Sequence, residues 1–212
     1  MFRTFMTTLL VAGVIVIFVI SRFLGIDSET TTQSSPEIAS ENYQSVYDVW
    51  VPFTSEDKDF KVKFPRPPEH ISQTTRDSLN RYNKHYDIYA ATGLDNAAYM
   101  LQEITFPGEK GVSKNPSILK NSLGDILAST RENLLQKTED QKFKGVDSLY
   151  FEIENGDNYI TGIMFMNKDT LYILSRTINE EDKGEEEDYN FFLNSFEINN
   201  SSKSLEDRKP KE

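Results

Sequence analysis

Met6 to Ile20 (MTTLLVAGVIVIFVI) is apolar and carries no charge, and Phe23, Leu24 and Ile26 extend the run past Arg22. The apolar positions form no one-sided stripe, which argues against a buried amphipathic helix. At about 1.5 Å per residue, Phe5 to Ile26 is long enough to cross a hydrocarbon core of about 30 Å. The pattern predicts a membrane anchor over residues 1–26, with Arg22 able to snorkel to the headgroups. The competing reading is a cleavable signal peptide, with Arg3 in the n-region and Leu9 to Ile20 as the h-region. A cleavage site needs small residues at −3 and −1, and Ser21, Arg22 and Phe23 do not supply them. A retained anchor is therefore favoured. Arg3 precedes the run and Asp27 and Glu29 follow it, so the positive-inside bias places the N-terminus in the cytoplasm and the rest outside.

Beyond the anchor the apolar residues thin out. Residues 27–45 are rich in Ser, Thr, Glu and Gln and cannot bury enough surface to fold, so they read as a disordered linker. Residues 46–199 follow as one soluble domain, and 200–212 as a polar disordered tail. Within the domain the spacing is that of strands and helices. Phe60 to Phe64 alternates apolar and polar and stops at Pro65, as a half-buried strand does. Arg66 to Arg81 is polar and reads as a loop or short ribbon. Tyr86 to Ala90 and Ala97 to Phe106 read as two strands, turned through Gly93, Asp95 and Asn96.

Asn115-Pro116 then opens the strongest helix signal. Ile118, Leu119, Leu123, Ile126, Leu127, Thr130 and Leu134 recur at three- and four-residue steps, which predicts a helix running to about Lys137 with one face on a sheet. Three strands follow: Val146 to Glu154, ending at the turn signal Asn155-Gly156; Tyr159 to Met166; and Thr170 to Thr177, whose apolar density suggests a central position. A last helix is predicted over Glu185 to Leu193, with Tyr189, Phe192 and Phe196 spaced to share a face. The fold class is α+β, a largely antiparallel sheet with one long helix and one C-terminal helix packed on it, preceded by the N-terminal transmembrane helix.

Composition narrows the functional classes. The 212 residues contain no Cys, which excludes disulfides, a thiolate nucleophile and the Cys-linked lipid of an exported bacterial lipoprotein. The net charge is −11, and no basic patch offsets it, so nucleic acid is not an expected partner. More than half of that charge lies in Glu180 to Asp188 (EEDKGEEED).

The succession FKVKFPRPPE, YDIYAA, AAYMLQEITFP, long helix, FKGVDSLYFEI, GIMFMNKDTLYILSR and FFLNSFEI resembles the PsbP-like or Mog1-like fold, including the DcrB-type bacterial envelope proteins. The resemblance spans roughly Lys58 to Ile198. It rests on the order of elements, on Phe64-Pro65 after the first strand, on Gly145 before the strand after the helix, and on Ser195-Phe196 at the end. It implies an envelope location. It carries over no catalytic residue, because the family shares no catalytic motif. DcrB-type proteins are generally lipoproteins; without a Cys, a helical anchor would take the lipid's place.

Chemical candidates are few. His70 and His85 lie fifteen residues apart in polar segments, and the reading favoured for both is solvent exposure. No G-x-S-x-G, Walker or G-x-G-x-x-G motif is present. The acidic run lacks the alternating spacing of a calcium loop, so a solvated face is favoured. Trp50, flanked by Val49, Val51, Pro52 and Phe53, could dock a partner or a membrane surface, but packing on the domain is favoured. Asn199 and Asn200 both satisfy N-x-S, which matters only in a eukaryotic secretory pathway. No catalytic, cofactor or metal residue is assigned. The reading is a single-pass membrane protein with a non-enzymatic accessory or binding domain outside the cytoplasm, its expected partners the membrane and an envelope protein. The alternative is a small-ligand protein or an enzyme with a site scattered through the fold.

Overall fold

The structure, a computed structural model, describes residues 49–76, 83–93, 96–109, 111–179 and 186–199. The expected anchor, the linker and the polar tail lie outside these residues, as does most of the acidic run. Among the described residues no helix is long and apolar enough to cross a membrane.

Among the described residues, two sheets and two α-helices make up the domain, with a short 3-10 turn at Val112–Lys114. Strands β1 (Val51–Thr54), β2 (Phe60–Phe64) and β10 (Glu197–Ile198) form a small sheet in the order β1-β2-β10. The large sheet has seven strands in the order β3-β4-β5-β9-β8-β7-β6: β3 is Glu69–Arg76, β4 Asn83–Thr92, β5 Ala98–Thr105, β6 Asn133–Phe143, β7 Val146–Asn155, β8 Asn158–Asn167 and β9 Thr170–Asn179. All its pairings are antiparallel. Helix α1 is Ile118–Ser129 and α2 is Glu187–Ser195.

The large sheet separates two cores. On one face the small sheet and α2 pack over a cluster that includes Phe60, Val62, Phe64, Tyr99, Leu101, Phe165, Tyr172, Phe192 and Phe196. Phe60, Val62 and Phe64 point inward while Lys61 and Lys63 stay exposed, as the alternation requires. Tyr189, Phe192 and Phe196 do share the buried side of α2. Trp50 is buried here too, edge-on to Tyr99 at 5.1 Å and to Phe191 at 5.2 Å. On the other face, α1 packs its apolar side over Ile104, Phe151, Ile153, Met164, Leu171 and Ile173. β9 is the middle strand, buried from Thr170 to Ile178.

Several elements differ from the sequence reading, which placed no strand at Val51–Thr54 or Glu197–Ile198. The long helix stops at Ser129, not near Lys137. Its end is held by Asn133, whose Nδ2 donates to the Ile126 carbonyl at 2.7 Å, and Thr130 is already extended. The chain then forms β6, so Leu134 belongs to a strand and is 54% exposed. The helix also starts later than Asn115. Ser117 is its N-cap, and the Asn115 side chain instead accepts the Ser117 N–H at 3.0 Å. Of the two readings of the polar stretch, loop or short ribbon, the described part after Pro68 is the ribbon: strand β3 pairs in full with β4.

Candidate functional site

Period-two alternation sends neighbouring residues of β4, β5 and β9 to opposite faces of the large sheet, and each face builds a distinct feature. Toward α1 point Tyr86 and Ile88 of β4, Met100 and Gln102 of β5, and Ile173 and Ser175 of β9. With Ile126 of α1, Ile160 of β8 and Phe151 of β7 they line a chamber of about 110 Å³. Its walls are mostly apolar. Lys84 at the end of β4 ties the sheet to the helix, its Nζ 2.7 Å from Asp125 Oδ2. The Lys84 side chain is nearly buried and Asp125 about half-exposed, so the pair borders the chamber with its charges matched to each other. Ser175 also lines the chamber. It is 2% exposed, and its Oγ has no hydrogen-bond partner.

The opposite face carries the polar residues of the β3–β4 ribbon. The register sets Ser72 opposite Asp87 and Thr74 opposite His85. His70 Nε2 donates to Asp87 Oδ1 at 2.9 Å, and its ring stacks on Tyr89 with centroids 4.4 Å apart. His85 Nε2 lies 3.1 Å from Asp87 Oδ2 and 3.3 Å from Ser72 Oγ, and its Nδ1 lies 2.8 Å from Thr74 Oγ1. The two histidines, read as separate exposed residues, thus converge on one carboxylate, although each remains about one-third exposed. A serine-hydrolase relay sets the acid on one imidazole nitrogen and the serine on the other. Here Asp87 and Ser72 share Nε2. Thr74, on Nδ1, sits on an edge strand, across the sheet from the chamber. The arrangement ties the edge strand β3 to β4. Among the described residues, no group of three or more His, Asp or Glu is placed to hold a metal ion.

Next to this ribbon lies Glu103, which is 5% exposed and opposite Asp87 in register. Burial first, and then the charge of Asp87, push its carboxyl up to about 7, while a 3.3 Å hydrogen bond donated by the Tyr172 hydroxyl works against them. The sign of the consequence follows from linkage. A raised folded-state value means that stability from this group is complete below its ordinary value near 4.5 and is lost as pH rises through about 7. The loss is on the order of 3 kcal/mol. Glu103→Gln cannot titrate, and its amide oxygen still accepts from Tyr172. Its stability advantage over the wild-type chain should grow between pH 5 and 8 and level off above that. Urea midpoints at the two pH values measure it. An advantage that does not change with pH would show that Glu103 is ionised alike in the folded and unfolded chains.

Nothing in the residue pattern marks the chamber, because its lining is the ordinary apolar alternation of strands and a helix stripe. The one irregularity is Ser175, a hydroxyl inside the apolar run of β9.

No protein-family model matches the chain, and no curated protein does. Among solved structures it is similar to cyanobacterial PsbP (CyanoP) from Synechocystis sp. PCC 6803, with 9% identity, a TM-score of 0.47, and coverage of 76% of this chain and 99% of that one. A crystal structure from Bacteroides thetaiotaomicron VPI-5482 is similar at 12% identity and a TM-score of 0.42, covering 71% of this chain and 48% of that one.

Proposed function

We propose that the chain is a non-enzymatic accessory or binding domain of a cell envelope, held to the membrane by the helix expected over residues 1–26 and displayed outside the cytoplasm. The finer family reading, PsbP-like or Mog1-like of the DcrB type, belongs to this proposal. One observation carries the preference for binding over catalysis. The apolar chamber and the carboxylate with the raised pKa lie on opposite faces of one sheet, since Gln102 lines the chamber and its neighbour Glu103 points away from it. Catalysis on a chamber-bound molecule would need an acid or base within hydrogen-bond reach. Of the ionisable groups that line the chamber, Lys84 and Asp125 are paired with each other at 2.7 Å, and the third, Tyr86, carries a phenol that is a weak acid and a poor base at neutral pH. Within this reading the chamber favours a small ligand, and an envelope protein is the other partner considered.

The topology is tested by adding protease to spheroplasts that carry the full chain. Release of a soluble fragment beginning between Asp27 and Ser45 is expected. A domain that stays protected until the membrane is permeabilised would reverse the orientation and overturn the envelope reading.

A further inference from the structure

Gln102 stands on the floor of the chamber among apolar side chains. The register sets it between Ile88 of β4 and Ile173 of β9, and its neighbours on the same face of β5 are Met100 and Ile104. Its Nε2 donates to Met100 Sδ at 3.8 Å, and a thioether sulfur is a weak acceptor. Among the described residues the side chain has no other hydrogen-bond partner. Its Oε1 accepts nothing from them and keeps accessible surface, so a molecule in the chamber can reach it. The rest of the lining is mostly apolar and rewards an apolar body. The volume of about 110 Å³ is of the same order as cavities known to take benzene.

A carboxamide edge presents a carbonyl acceptor and an N–H donor side by side. A carboxylate has no donor for that carbonyl. Another amide carries the same pair in reverse and answers both groups at once.

We infer that the chamber binds a small neutral amide, a lactam or carboxamide of roughly six to eight non-hydrogen atoms, with its amide on Gln102 and its apolar body between α1 and the sheet. This rests on the reading of the domain as a small-ligand binder and adds the class of ligand. Position in the fold supports it. β5 is paired on both sides, to β4 and to β9, so Gln102 is carried by fixed backbone. Lys84 lies four residues along β4 from Ile88, about 13 Å of strand, so an amide seated on Gln102 is recognised without a charge.

The test uses the full chain in lipid nanodiscs, with empty nanodiscs as the blank. The probes are 5-fluoro-2-pyridone, which carries a lactam N–H and C=O, and fluorobenzene, which carries neither. Binding is followed by ¹⁹F NMR. The wild-type chain should bind both. Gln102→Leu should keep fluorobenzene binding and weaken the pyridone on the order of thirtyfold, the usual net yield of two hydrogen bonds. Should that variant not fold, the near-isosteric Gln102→Met should give the same selective loss. Ile126→Trp, which fills the chamber from the helix side, should exclude both probes.

Pyridone binding that Gln102→Leu leaves unchanged, or fluorobenzene binding without any pyridone binding, would overturn the ligand class and leave the small-ligand reading standing. If the folded wild-type chain bound neither probe, the small-ligand reading would fall as well. Undiminished binding of both probes by a folded Ile126→Trp chain would place the site elsewhere and overturn the inference.

Discussion

Replacing Gly162 by alanine should cost about 3 kcal/mol, although it adds only one methyl group. Gly162 lies on β8 directly opposite Phe151 of β7, and the Phe151 ring lies over the glycine. A Cβ at this position would come within 2.1 Å of Phe151 Cζ and within 2.7 Å of both Cε atoms. Phe151 is buried and cannot swing out to solvent. The ring must move, and the space open to it is the chamber that it lines. Denaturant unfolding of the full chain, followed by the fluorescence of its one tryptophan, reads the cost. Phe151→Leu in the same chain should recover part of the loss, so the double variant should be more stable than the sum of the single changes by at least about 1 kcal/mol. Strict additivity would mean that the ring does not cause the loss.

The second large effect is expected at Phe196. This ring is completely buried and lies between 5.6 and 5.8 Å from the rings of Tyr172, Phe165 and Phe60. It therefore joins the large sheet to the small one at the point where α2 ends and β10 begins. Phe196→Ala should cost about 3–5 kcal/mol, and Phe196→Leu, which keeps most of the volume, less than about 1.5 kcal/mol. Trp50 shares this core and serves as the reporter. If the two variants had the same midpoint, the packing role would be wrong.

The strands that face a core on one side were legible because their period survives in the sequence: Phe60, Val62 and Phe64 alternate with lysines, and the chain from Val146 to Thr177 divides at Asn155-Gly156 and Asn167-Lys168. The two edge strands of the large sheet have little apolar face to show. β6 is an edge strand exposed along most of its length, and its first apolar residues, Leu134 and Leu135, extend the helical pattern to about Lys137. Leu134 even falls on the helix stripe. The break is marked by side-chain bonds that no periodicity contains, from Asn133 and Ser129 to the Ile126 carbonyl. β3 is the other edge, and it places His70, Ser72 and Thr74 on the side where apolar residues would have revealed it. With β3 unread, the register that brings His70 and His85 to Asp87 could not be drawn. His85-x-Asp87-x-Tyr89 does alternate on one face of β4, and pairing it with His70-x-Ser72-x-Thr74 was the available signal. The chamber was beyond reach for a different reason. It depends on how far α1 stands from the sheet, which no single residue encodes.

The strand order also has a consequence for biosynthesis. β5 pairs with β9, so Ala98 must wait for Thr177, and β2 pairs with β10, so Lys61 must wait for Glu197. A chain leaving the ribosome from its N-terminus makes β3, β4 and β5 early, yet cannot cover the inner edge of β5 until β9 has been made. That edge, with its unpaired amides and carbonyls, is open to other chains throughout the interval. The aromatic core is later still, because Phe192 and Phe196 are among the last residues of the domain to emerge. The domain therefore cannot close before its last strands have been made, and a nascent chain that ends before Thr170 has one edge of β5 uncovered.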